Sequence, residues 1–336
     1  MISEQVEELT RTYGYSLTCL LCLLDALYRH LVAGGYDFFV FSHENSFLLR
    51  IFTAQIDEIQ RFMADYRLLV LDLDGTLTNS KKEISPRNLA TLLRLQAAGV
   101  KLVLASGRPT YGIAPLAEEL QMARYGGFIL SYNGGEIIDW STKEMLYKNL
   151  LPDEVLPLLY ETSKAKGHPI LSYDGPEILT ESPDNEYILH EAFLNKMQIR
   201  PVKNFLEETP RPLPKCLIVG PPEKLMATEA ELSLRLQGII NVFRSEPFFL
   251  ELVPNGIDKA QSLRALLAHL GETTEQMVCI GDGYNDLSMI ELAGMGVAMA
   301  NAQEPVRKAA NYVTLSNDED GVAAAVEHLF FNNKES

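Results

Sequence analysis

Short, nearly unbroken apolar runs recur along the chain, each closed by glycines or small polar residues. Leu68–Leu71, Val100–Ala105, Gly127–Tyr132, Met277–Ile280 and Val297–Met299 are of this kind. A short apolar run bounded by turn residues predicts a buried strand. Between the first two, Ser85-Pro86 opens a helix, with serine as N-cap and proline at the first helical position. Leu89, Leu92, Leu93 and Leu95 give that helix an apolar side, and Gly99 ends it. A strand, a helix and a strand in that order predict a βαβ unit with parallel strands, and hence an α/β fold. Ile137–Asp139 and Met145–Tyr147 predict a hairpin.

From about Leu151 the pattern changes. A helix (Asp153–Lys166), two strands (His168–Tyr173 and Glu177–Glu181) and a helix (Asn185–Lys196) lead to a proline-rich loop. A strand (Lys215–Val219), a long helix (Glu223–Gln237) and two strands (Ile239–Arg244 and Phe248–Val253) follow. Such a mixture predicts an inserted α+β domain over 151–253, interrupting a first domain of 63–150 and 254–336. Pro254-Asn255-Gly256 marks the return, before a helix over Asp258–Leu270. The chain then predicts a helix over Glu304–Ala310, a strand over Tyr312–Leu315 and a C-terminal helix over Gly321–Phe331.

Residues 1–62 read as a helical N-terminal extension, with two or three helices and a strand at Phe38–Phe41. Its apolar stretch Ser16–Val32 is interrupted by Asp25, Arg29 and His30, and a membrane span needs about 20 apolar residues. Glu4, Glu7 and Glu8 stand where a signal peptide has basic residues. We assign this segment no chemistry.

Charge narrows the function classes. The chain has 336 residues, 47% of them hydrophobic, and a formal net charge of −16. Such a protein repels nucleic acid and anionic membranes, so neither is an expected partner. An anionic substrate then needs cations close to its site. The four cysteines, Cys19, Cys22, Cys216 and Cys279, are too scattered for a disulfide framework, which fits the reducing cytoplasm. Cys19 and Cys22 sit in a leucine-rich run without a second ligand pair and read as buried thiols.

Candidate chemistry gathers at the strand ends. Leu68–Leu71 runs into Asp72-Leu73-Asp74-Gly75-Thr76, two carboxylates one residue apart. Alternation along a strand sends Asp72 and Asp74 to the same side. Like charges there need an offset, and a divalent cation supplies it. The second strand ends in Ser106-Gly107, a small hydroxyl with a glycine that lets a phosphate approach the backbone. The third runs into Asn133-Gly134-Gly135, where Asn133 is either a turn former or a substrate contact. Lys259 stands in the first turn of its helix, where the helix dipole favours negative charge. Gly281-Asp282-Gly283-Tyr284-Asn285-Asp286 crowds three oxygen-bearing side chains, Asp282, Asn285 and Asp286, just after a buried strand. That donor set suits Mg²⁺, which prefers oxygen ligands in octahedral geometry.

Four motifs thus occur in order: DLDGTL, SGR, GIDKA and GDGYND. They resemble the four motifs of the haloacid dehalogenase superfamily of phosphatases. The resemblance covers Met63 to the C-terminus. With NGG before the insert and ANA after the last motif, it is specifically similar to the Cof-type branch. That branch implies a Rossmann-like core with a parallel sheet, an inserted cap, and Mg²⁺-dependent hydrolysis of small phosphate monoesters, sugar phosphates above all. By the same resemblance Asp72 is the nucleophile that forms an aspartyl-phosphate, and Asp74 is the general acid and base. Thr76, Ser106, Gly107, Asn133 and Lys259 contact substrate. Asp72, Asp74 (through its carbonyl), Asp282, Asn285 and Asp286 form the metal site. A phosphomutase would use the same motifs, and a non-catalytic phosphate-sensing or partner-binding protein is the alternative from another class. Neither the substrate nor the oligomeric state is legible.

Overall fold

The computed structural model describes residues 66–331. The helices and strand expected in residues 1–62, and Cys19 and Cys22 with them, lie outside the described residues.

The described chain opens with β1 (Leu68–Leu71), α1 (Pro86–Ala97), β2 (Lys101–Ala105), α2 (Thr110–Glu119), α3 (Met122–Tyr125), β3 (Phe128–Ser131), β4 (Glu136–Asp139) and β5 (Met145–Lys148). It continues through α4 (Leu156–Lys166), β6 (Ile170–Asp174), β7 (Glu177–Thr180), α5 (Glu186–Asn195), β8 (Gln198–Pro201) and α6 (Phe205–Glu208). Next come β9 (Cys216–Val219), α7 (Pro222–Arg235), β10 (Ile240–Glu246) and β11 (Phe249–Pro254). The last stretch holds α8 (Lys259–Leu270), β12 (Met277–Gly281), α9 (Leu287–Leu292), β13 (Met295–Ala298), α10 (Glu304–Ala309), β14 (Tyr312–Val313) and α11 (Gly321–Val326).

The first sheet has the order β14-β13-β12-β1-β2-β3-β4-β5. Its strands from β14 to β3 are parallel, and the β4–β5 hairpin adds an antiparallel edge. Helices cover both faces, which is why these strands read as continuous apolar runs. Alternate residues of β1 divide between two cores. Leu69 and Leu71 pack with Leu92 and Leu95 of α1, whereas Leu68 and Val70 pack with Leu263 and Leu266 of α8. Ser85 caps α1 as its sequence predicts, its side chain accepting from the backbone N–H of Asn88.

The second sheet has the order β10-β11-β9-β6-β7-β8. It is antiparallel except where β7 meets β8. One face packs on α4 and α7 through Leu156, Leu159, Leu225 and Leu232. The other face carries Leu171, Tyr173, Leu217, Val219 and Phe249, and it packs against Tyr132, which follows β3 of the first sheet. That contact brings the second sheet next to the end of β3. The chain is therefore mixed α/β, with a parallel sheet and a second sheet beside it. Among the described residues no helix is long and apolar enough to cross a membrane. Cys216 and Cys279 are buried free thiols.

Candidate active site

The site forms where β1, β2, β3 and β12 end, at the carboxyl edge of the parallel sheet. Asp72 follows β1 directly, and its N–H extends the strand ladder to the Ile280 carbonyl, 3.0 Å away. The chain then folds back. Thr76 N–H and Thr78 N–H both donate to Leu73 O, at 3.4 and 2.9 Å, and Leu73 is buried. Gly75 has φ +87° in this turn, and an added Cβ would lie 2.4 Å from Asp282 Oδ2. Only glycine lets the turn and Asp282 approach so closely.

Lys259 holds the centre. Its Nζ donates to Asp72 Oδ1 (2.8 Å), Asp286 Oδ1 (2.6 Å) and the Ala105 carbonyl (2.9 Å). The residue is 1% exposed. Asp286 is fully buried, and its other oxygen accepts from the N–H groups of Asp282 (3.0 Å) and Gly283 (2.9 Å). Asp286 thus ties the lysine to the β12 loop and leaves Asp282 facing the same space. Carboxylate oxygens of Asp72, Asp282 and Asp286 lie within 4.8 Å of one another. The hydroxyl of Thr76, expected at the substrate, donates to Asp282 Oδ1 at 2.8 Å.

The electrostatics follow from this crowding. Burial and then the Asp286 charge push Asp72 up to about 8, against the pull of Lys259. Burial likewise pushes Asp282 up to about 6, although the Thr76 hydrogen bond lowers it. Burial alone would lower Lys259, but the Asp286 and Asp72 carboxylates outweigh it and raise its pKa. Three carboxylates share one ammonium here, so negative charge is left over in a poorly hydrated place. An oxygen-ligated divalent cation fits that excess and that donor set.

Asp74 is held by two cations of its own. Arg108 grips it with both arms, Nη2 to Oδ1 at 2.7 Å and Nε to Oδ2 at 2.8 Å. Lys82 Nζ adds a bond to Oδ1 at 2.8 Å. Burial would raise the Asp74 pKa, but these two cations hold it below the usual carboxylate value. Neither cation stood out in the sequence as chemistry. Arg108 lies inside the SGR string, yet its partner is 34 residues away. Lys82 is in a turn that carries no motif.

The remaining expected residues converge on the same edge. Ser106 is buried, and its Oγ accepts the Arg108 N–H at 3.2 Å, which leaves its own proton to donate. Asn133 N–H donates to Ser106 O at 2.9 Å, and a Cβ on Gly107 would lie 3.0 Å from Asn133 Nδ2. Asn285 Nδ2 donates to Asn133 Oδ1 at 3.1 Å, closing a bridge between the β3 and β12 loops.

Known proteins carry the same frame. A sequence profile of haloacid dehalogenase-like hydrolases matches residues 69–326. This chain belongs to the haloacid dehalogenase superfamily, in its Cof-type phosphatase branch. The putative phosphatase YxeH of Bacillus subtilis is 34% identical to this superfamily member over 267 residues, covering 79% of this chain and 98% of YxeH. A crystal structure of a haloacid dehalogenase-like hydrolase from Bacteroides thetaiotaomicron matches with TM-score 0.78 and 65% identity, over 79% of this chain and all of that one. The subclass IIB sugar phosphatase BT4131 matches with TM-score 0.66 and 28% identity, over 78% and 98% of the two chains. All three are similar to this haloacid dehalogenase-type hydrolase along nearly their whole length.

Proposed function

We propose that the protein is a Mg²⁺-dependent phosphatase of small phosphate monoesters, working through an aspartyl-phosphate on Asp72. The observation that carries the reading is the buried Asp72–Lys259–Asp286 cluster beside Asp282, at the end of β1. Asp72 attacks phosphorus in line and forms the Asp72–phosphorus bond while the ester oxygen leaves. A bound phosphoryl dianion raises the proton affinity of Asp74 against the pull of its two cations, so that Asp74 gives the leaving oxygen a proton, then takes one from the water that hydrolyses the intermediate. Ser106, with the Gly107 backbone, receives phosphoryl oxygens, and Asn133 lies beside them. Lys259 aligns Asp72 and offsets phosphoryl charge. Thr76 orients Asp282 beside the substrate.

Mg²⁺ would be held by the Asp72 and Asp282 carboxylates and the Asp74 carbonyl, with Asn285 and Asp286 supporting from the β12 loop. When bound, it neutralises charge on the phosphoryl group and the nucleophile, on which phosphoryl transfer mainly depends. Segment 151–253 acts as the cap over a core of 63–150 and 254–336, and chooses the leaving group. The resemblance to BT4131 supports sugar phosphates as the substrate class.

Phosphate release tests this reading on sugar phosphates, nucleotides, flavin mononucleotide and pyridoxal phosphate, each with Mg²⁺ and with chelator. The expected result is release that needs the metal, fastest on a sugar phosphate, and abolished in Asp72→Asn. Isomerised sugar phosphate without free phosphate would replace the phosphatase with a mutase.

A further inference from the structure

Between the first motif and α1, residues 79–83 form a tight loop with no assigned role. Thr78 and Ile84 pair across its base. Asn79 builds it from inside, its Oδ1 accepting the N–H groups of Lys81 (2.9 Å) and Glu83 (3.1 Å). Residues far along the chain clasp it from outside. Ser80 gives its N–H and hydroxyl to the two oxygens of Asp318, at 2.8 and 2.5 Å, and Asn317 Nδ2 donates to Thr78 O at 3.0 Å. At the turn itself Lys82 has φ +63°. Left-handed backbone is uncommon for a residue with a Cβ, and glycine would fit it without strain. What lysine adds there is its ammonium, which reaches Asp74 Oδ1.

The consequence falls on the two oxygens of Asp74. Oδ1 receives both Arg108 Nη2 and Lys82 Nζ, whereas Oδ2 receives Arg108 Nε alone. A carboxylate oxygen offers about two lone-pair sites, so Oδ1 is filled and Oδ2 keeps one open. We propose that Lys82 is a positioning residue, held out by the clasped 79–83 loop so that Asp74 exchanges protons through Oδ2 alone. This rests on the phosphatase reading. As the phosphorus–oxygen ester bond breaks, the proton on Oδ2 passes to the leaving alkoxide. When water attacks the aspartyl-phosphate, its proton returns to Oδ2. An exposed ion pair such as Lys82–Asp74 adds little stability, so its effect is on geometry.

The test compares an alkyl phosphate, whose leaving group needs a proton, with p-nitrophenyl phosphate, whose leaving group does not. Initial rates would be measured for wild type, Lys82→Met, Lys82→Gly and Ser80→Ala, with Mg²⁺ present. Both Lys82 variants should lose about tenfold in kcat/KM on the alkyl ester and stay within about twofold of wild type on p-nitrophenyl phosphate, because kcat/KM covers the steps through departure of the leaving group and leaves out the hydrolysis that both esters share. Ser80→Ala should shift in the same direction by less. Lys82→Gly relieves the left-handed strain, so its melting temperature should equal or exceed that of wild type. Equal losses in kcat/KM on both esters, or no change on the alkyl ester, would each overturn the proposal. No phosphate from wild type on either ester would overturn the phosphatase reading itself.

Discussion

Lys259 occupies the wrong end of a helix by the dipole rule, and its surroundings explain why. Its ammonium is buried against Asp72 and Asp286, whose charges outweigh the partial positive charge of the helix start. Gly75 is the second residue whose identity the site dictates, because Asp282 lies where its Cβ would be. Gly75→Ala should displace Asp282 and raise the Mg²⁺ concentration for half-maximal activity by roughly tenfold or more, as loss of groups that support a metal site does. A metal titration of phosphate release checks it, and an unchanged midpoint would mean Asp282 is not a ligand. The sequence exposed Asp72, Asp74, Lys259, Asp282 and Asp286 because each sits in a compact string next to a strand or helix start. It hid the Arg108 and Lys82 grip on Asp74, because that grip depends on how two loops meet in space.

The elements that were legible are those whose local sequence and environment agree. β1, β2, β3 and β12 are buried on both faces and read as apolar runs, and α1 declares its start with Ser85-Pro86. α2 was not legible because Gly112 and Pro115 interrupt its pattern. Gly112 is instead required by packing, since a Cβ there would lie 2.5 Å from Asn195 Oδ1 on α5. β8 was missed because Gln198-Ile199-Arg200-Pro201 is an edge strand with one aliphatic residue and a closing proline. The C-terminal helix expected to Phe331 keeps α-helical form only to Val326 and then widens into a π turn over Glu327–Phe331.

On α5, Glu191 is buried, with Oε1 accepting from Tyr173 Oη (2.7 Å) and Asn195 Nδ2 (2.8 Å). Burial raises its pKa above the usual glutamate value, with Lys215 and the Tyr173 hydrogen bond opposing. A carboxyl with a raised folded pKa gives stability below its unfolded pKa, and that contribution is lost as pH rises through the folded one. Glu191→Gln keeps the Oε1 acceptor and removes the charge. It should melt a few degrees above wild type at about pH 7, with the gap closing towards about pH 4. Thermal melts at both pH values check this, and a variant less stable at neutral pH would mean the charge is fully compensated.

At the scale of the whole chain, the net charge is −16, the same sign as the phosphate ester proposed as substrate. Long-range repulsion should slow encounter, and salt should relieve it. Raising NaCl from about 20 to about 200 mM should therefore increase kcat/KM for a sugar phosphate, roughly twofold, with kcat little changed. A fall with salt would show that local cations dominate the approach. The two-sheet arrangement was legible because the pattern changes near Leu151 and again at Pro254-Asn255-Gly256. The contact of Tyr132 with the face of the second sheet was not, since a lone tyrosine after a strand carries no signal of its partner.

The central claim is that phosphorus passes through a bond to Asp72. The most direct measurement is to quench turnover of a good ester in acid, reduce the aspartyl-phosphate with borohydride, and sequence the peptides by mass spectrometry. The account predicts conversion of Asp72, and of no other residue, to homoserine in wild type, with none in Asp72→Asn. Phosphate release from wild type with Asp72 unmodified, or with the label on another residue, would contradict it.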